Sequence, residues 1–180
     1  MKSFPFIKSG IVLGILIIFS SCFGVKSGGG ASGKKLYETF FVGEEGTQYF
    51  IKPLLFCNKL KEELKFDMTF RYKSEIKDSA IINITLISKE IVKNIDSLQI
   101  SSGTNVSSIN EAIYMFCERN KEDYICRFST KVKLSDVEKL YDNNSWNIIL
   151  YKQSGSNEFT TPNSTKKSIG KINYEIFSMF

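Results

Sequence analysis

Leu64-Lys65-Phe66-Asp67-Met68-Thr69-Phe70-Arg71-Tyr72 is the stretch that decides the architecture of this chain. Leu64, Phe66, Met68, Phe70 and Tyr72 alternate with Lys65, Asp67, Thr69 and Arg71. Successive side chains of an extended strand point to opposite faces, so the stretch reads as a strand with one dry face and one wet face. Ile82-Asn83-Ile84-Thr85-Leu86 repeats the pattern ten residues further on. Outward from these two, residues 36–42, 48–56, 95–101, 113–118, 124–131, 146–151 and 172–177 are further candidate strands. Turn-forming clusters separate several of them: Gly43-Glu44-Glu45-Gly46, Ser102-Gly103-Thr104-Asn105, Asp142-Asn143-Asn144 and Ser154-Gly155-Ser156-Asn157. One short helix is expected after Ser135, where Glu138 completes a capping-box pattern and Val137, Leu140 and Tyr141 share a face.

This pattern predicts an all-β fold: an antiparallel β-sandwich, immunoglobulin- or transthyretin-like in outline, with one short helix. A small β-barrel is the alternative arrangement. Fifteen Phe and eight Tyr fit strands. No internal repeat is visible. The folding part spans residues 36–180, and a domain of that length buries roughly two-thirds of its unfolded surface.

Ahead of the domain the chain changes character. Residues 1–10 carry Lys2 and Lys8 and no acid, and residues 11–19 run Ile-Val-Leu-Gly-Ile-Leu-Ile-Ile-Phe. A basic start, a short apolar run and small residues at a cut site make a secretory signal, here residues 1–21. The run is less than half the roughly twenty apolar residues that a spanning helix needs. Phe19-Ser20-Ser21-Cys22 resembles the bacterial lipobox, in which cleavage precedes a cysteine that then receives acyl chains. Phe19 stands where Leu is usual and Ser21 where Gly or Ala is usual; Ser before the cysteine looks like a habit of Bacteroidota lipoproteins. The resemblance implies lipidation at Cys22 and a bilayer as partner. Phe23-Gly24-Val25-Lys26-Ser27 has neither an Asp after the cysteine nor an acidic cluster. The same resemblance therefore implies a place in the cell envelope, anchored to the outer membrane and facing the periplasm.

Residues 22–35 form a Gly-rich tether, with five glycines between Phe23 and Lys35. Gly28-Gly29-Gly30-Ala31-Ser32-Gly33-Lys34 fits most of a phosphate-binding loop, but Lys35 occupies the position of the metal-binding hydroxyl. No strand precedes it and no helix follows, so it reads as linker.

Three cysteines remain. A tight turn at Lys121-Glu122 pairs residues whose numbers sum to 243 and sets Cys117 opposite Cys126. Directly opposed Cβ atoms lie close enough for a disulfide. The expectation is a Cys117–Cys126 bridge with Cys57 free and buried, and with Met115 opposite Phe128 on the inward face.

The composition narrows the chemistry. There is no His, which removes the commonest general base and zinc ligand. Net charge is +5, or +3 without Lys2 and Lys8, and no basic cluster points to nucleic acid. Three cysteines without Cys-x-x-Cys spacing make a poor metal site, so no metal or other cofactor is expected. Glu44-Glu45 and Glu62-Glu63 are paired carboxylates, yet neighbours in a strand or turn point apart, which disfavours a catalytic dyad. The expected role is a non-enzymatic binding or scaffold module for a partner protein of the envelope. A glycan- or small-ligand-binding module built on Trp146 and Tyr151 is the alternative.

Overall fold

The computed structural model describes residues 35–73 and 79–179. Ten strands follow one another as β1 (Tyr37–Phe41), β2 (Thr47–Cys57), β3 (Glu63–Tyr72), β4 (Ser79–Ser88), β5 (Ser97–Ser102), β6 (Asn105–Ile109), β7 (Ile113–Asn120), β8 (Asp123–Lys133), β9 (Trp146–Lys152) and β10 (Gly155–Thr160). Helix α1 (Leu134–Glu138) follows β8, and α2 (Asn163–Glu175) follows β10. All strand pairs are antiparallel and belong to one sheet, ordered β6-β5-β9-β10-β2-β3-β4-β8-β7, with β1 also on β2. The all-β class is that expected from the sequence. The sheet is single and curled into half a barrel, intermediate between the two-sheet sandwich and the closed barrel.

The decisive stretch is β3, at the middle of the curl. Leu64, Phe66, Met68 and Phe70 are fully buried, and the intervening residues face out. Its neighbours continue the dry face with Ile82, Ile84 and Leu86 on β4 and with Phe56 on β2. On the edge away from β3, β2 must serve two partners in turn, and Pro53 marks the exchange. The register slips by one residue between Ile51 and Leu54, where β2 passes from pairing with β1 to meeting β10 at Cys57↔Thr160. A proline has no N–H to give a ladder, so a bulge is where a long strand tolerates it.

Three readings need correction. Residues 172–177 are not a strand. Ile172, Tyr174 and Ile176 alternate, but Thr165, Ile169, Ile172 and Ile176 recur at three- and four-residue intervals. That longer stripe prevails: it is buried along α2 and just beyond its end, and Thr165 Oγ1 donates to the Leu55 carbonyl at 2.7 Å. Among the described residues there are thus two α-helices rather than one. Finally, α1 begins at Leu134, with Lys133 at its N-cap and no capping side chain, so the Ser135–Glu138 box does not form. Val137, Leu140 and Tyr141 are buried as expected, because the apolar face anchors this turn without a cap.

Candidate functional site

The β7–β8 hairpin turns on two residues, with Lys121 in the left-handed region at φ +57°. Arg119 Nε donates to the Lys121 carbonyl at 3.1 Å, and Lys89 pairs with Glu122 and Asp123 at 3.3 and 3.0 Å. These exposed ion pairs add little stability, but the hydrogen bonds that Lys89 Nζ donates to the Asp123 and Glu122 carboxylates raise the Lys89 pKa. Below the turn the register is Asn120↔Asp123 to Cys117↔Cys126, and the two sulfurs are bonded across Cα atoms 4.0 Å apart. The bridge staples β7, the last strand of the sheet, to its only neighbour among the described residues.

Beyond the bridge the register changes. Phe116 opposes Arg127, but Tyr114 opposes Phe128, leaving Met115 as the extra residue of a bulge. The expected Met115–Phe128 pair is therefore replaced by Tyr114–Phe128, whose rings meet edge-on at 5.8 Å. The signal was present: Ile113-Tyr114-Met115-Phe116 is apolar at every position and cannot alternate. All four side chains reach solvent, Ile113 at 68% and Met115 at 56% exposure. β7 thus combines an edge without a strand partner among the described residues, an apolar surface on both faces and a covalent hold on the domain.

The other candidates lie apart. Trp146 is 1% exposed and packs against Phe56, Phe66 and Tyr141, with Nε1 donating to the Asn143 carbonyl at 2.9 Å. Tyr151 is 38% exposed on the opposite face of β9, because five residues of extended chain separate the two. They do not form one stacking platform, which corrects the aromatic-site expectation. Cys57 carries a free thiol and is half-buried rather than buried. Burial, and then the Glu63 carboxylate opposite it, push its pKa up, so it is a poor nucleophile near neutrality.

The carboxylates are occupied structurally. Glu45 binds Arg71, and Glu62 accepts from Asn58 and Asn157 at 2.6 and 2.7 Å. Asp67, on the outer face of the sheet, pairs with Arg127 at 3.0 Å and accepts from Asn83 Nδ2 at 2.8 Å. Arg127 also donates to Thr85 at 2.6 Å, which closes the network across β3, β4 and β8. Two surface depressions are open: one is lined by Asn105 of β6, Asp136 of α1 and Lys139, the other by Glu90, by Lys93 and by Lys152 of β9. Among the described residues no group of three metal-ligating side chains converges, and no helix is long and apolar enough to cross a membrane.

Cys22 and the tether up to Lys34 lie outside the described residues. No family model matches this chain, and no curated protein and no solved structure is significantly similar to it.

Proposed function

We propose that this chain is a cell-envelope lipoprotein, acylated at Cys22 on the periplasmic side of the outer membrane, whose domain docks a partner protein without catalysis. The observation that carries the docking role is β7. Its edge, unpaired among the described residues, offers backbone donors and acceptors to an incoming strand, and its exposed Ile113, Tyr114, Met115 and Phe116 offer apolar contacts on either side. Strand addition takes its affinity from the backbone bonds and its selectivity from alternate side chains. An edge of this kind is also an aggregation hazard. The Met115 bulge and the charged end Glu118-Arg119 restrict pairing to a short stretch, which suits a specific partner better than indiscriminate stacking. The anchor rests on the charged start, apolar run and lipobox-like residues of the leader. The non-catalytic reading is supported by the structural engagement of Glu45, Glu62 and Asp67 and by the raised pKa of Cys57.

Site-specific photo-crosslinking tests the proposal. A photoreactive residue at Met115 of the acylated full chain, in native envelopes, is expected to capture one discrete protein. The same residue at Val106 of β6, an exposed position on the other edge, is expected to capture none. Identical products from both positions, or none from Met115, would overturn the docking role. Loss of the adduct on Cys22→Ala ties docking to the anchor, whereas an unacylated Cys22 in native protein ends the lipoprotein reading.

A further inference from the structure

The β1–β2 hairpin ends in an apolar tip that the docking edge does not use. Phe40 is 55% and Phe41 81% exposed, and Val42 and Phe50 also reach solvent. Phe40 meets Phe50 edge-on at 5.5 Å. Phe41 is consecutive with Phe40 in an extended strand and so projects from the opposite face.

The turn that closes the tip is tight. The Val42 N–H donates to the Gly46 carbonyl at 2.8 Å, and Gly46 takes φ +88° with its missing Cβ only 2.3 Å from the Tyr72 carbonyl oxygen. The aromatic residues are thus mounted on a turn seated against β3. A rigid protein surface would cover one face of such a wedge; a fluid apolar medium can surround both.

Two matched charge pairs involve the hairpin, and Glu44 adds an exposed carboxylate at the turn. Lys52 pairs with Glu38 at 3.0 Å and Arg71 with Glu45. Contact would rest on apolar burial and aromatic placement at a lipid interface rather than on attraction to anionic lipid.

The position of the tip in the chain supplies the partner. Phe40 follows Cys22 by only eighteen residues. Chain of the composition between Cys22 and Lys35 has an r.m.s. reach of roughly 20 Å. The extended chain from Leu36 to Phe40 covers only about 13 Å. A chain of that length and composition would therefore exceed the distance from Leu36 to the tip. A second contact tethered this closely meets the bilayer at an effective concentration of order mM.

We infer that the Phe40-Phe41-Val42 tip, with Phe50, wedges into the headgroup–acyl boundary of the bilayer that holds Cys22. This rests on the acylation reading above and adds a second, non-covalent membrane contact that fixes which end of the sheet faces the lipid. The test uses the acylated full chain in phosphatidylcholine vesicles whose lipid carries bromine on the acyl chains. A Phe41→Trp variant is expected to lose about half of its added emission to the bromines, as suits a depth of roughly 5–10 Å. A Leu60→Trp variant, at the opposite end of β2, is expected to lose none. Adding Phe40→Ser to Phe41→Trp is expected to weaken the quenching. Equal quenching at positions 41 and 60, or none at 41 while mass spectrometry shows the acyl groups on Cys22, overturns the wedge and leaves the anchor standing. Shielding of position 41 only when envelope proteins are added assigns the tip to a protein partner and also overturns it. Absence of acyl groups from Cys22 of native protein overturns the anchor itself.

Discussion

Removing the Cys117–Cys126 bridge by Cys117→Ala together with Cys126→Ala tests the link between covalent structure and docking edge. The two residues are nine apart in sequence. A loop of that size contributes about 2.6 kcal/mol through restriction of the unfolded chain at 25 °C. Two local features modify that figure. The Lys121-Glu122 turn already keeps the strands close, which lowers the entropic gain from the bridge. Cys126 is fully buried, so its truncation leaves a void and raises the cost. A loss of about 2–3 kcal/mol is expected. At an m-value of about 2 kcal/mol/M, the urea midpoint falls by about 1.3 M. β7 holds no other strand among the described residues, so hydrogen exchange should accelerate first over residues 113–120, with β3 and β4 unaffected until global unfolding. Wild-type protein treated with a reductant should lose the cross-link share of that stability without the cost of the void at position 126. A midpoint within about 0.3 M of the oxidised protein would refute the stapled-edge reasoning. So would a mass-spectrometric peptide joining Cys57 to either hairpin cysteine.

Other perturbations probe other layers of the fold. Ile169→Ala removes a fully buried side chain from the stripe of α2 and should cost about 2–5 kcal/mol in urea unfolding; Lys167→Ala beside it should cost under about 0.5 kcal/mol. Tyr141 is buried with no hydrogen-bond partner for its hydroxyl, so Tyr141→Phe should be neutral or stabilise by up to about 1–3 kcal/mol; a clear loss would reveal a bond to the hydroxyl. Its pKa is raised by burial, so the phenol should stay neutral while the protein is folded; an absorbance titration that ionises all tyrosines before unfolding would contradict this. The Cys57 thiol has a raised pKa, so less thiolate is present at a given pH than for a free cysteine. Alkylation at pH 8 should lag behind a cysteine peptide and rise with pH; an equal rate would show that burial does not hold the thiol protonated.

Much of the architecture was legible because one periodicity governed it. β2, β3, β4, β5, β7, β8 and β9 each carry enough apolar alternation, or enough bulk, to stand out from the sequence alone. The failures have specific causes. β6 and β10 are Asn-Val-Ser-Ser-Ile and Gly-Ser-Asn-Glu-Phe-Thr, with little hydrophobicity of their own. They exist because β5 and β9 present ladders for them to complete, and pairing across the chain has no local signal. The end of α2 was misread because Ile172-Asn173-Tyr174-Glu175-Ile176 satisfies both periods, and only Thr165 and Ile169 upstream settle the choice. At the edge, the cysteine pairing followed from arithmetic on a two-residue turn, whereas the bulge at Met115 shifted every pairing below it. The Trp146 reading erred for a general reason: a lone Trp beside a turn looks the same in sequence whether its ring faces solvent or the core.

The two apolar surfaces do not compete for space. From β2, which carries Phe50 and holds β1, to β7 the sheet passes through β3, β4 and β8. Four strand spacings amount to about 19 Å. Along the strands, Ile113 aligns through Ser129, Asn83 and Asp67, five residues up β3 from Tyr72, the partner of Thr47 at the base of the tip. That adds about 17 Å in the other direction. A wedge sunk about 5–10 Å into the interface would therefore leave the β7 edge clear of the headgroups. The separation also makes the two contacts independent in energy, because substitutions this far apart with no shared partners add. Phe41→Ser should then leave crosslinking from Met115 intact, and loss of the hairpin bridge should leave quenching at position 41 intact. If either change abolished both signals, lipid and partner would have to meet the same surface, and the assignment of the two strands to separate tasks would fail.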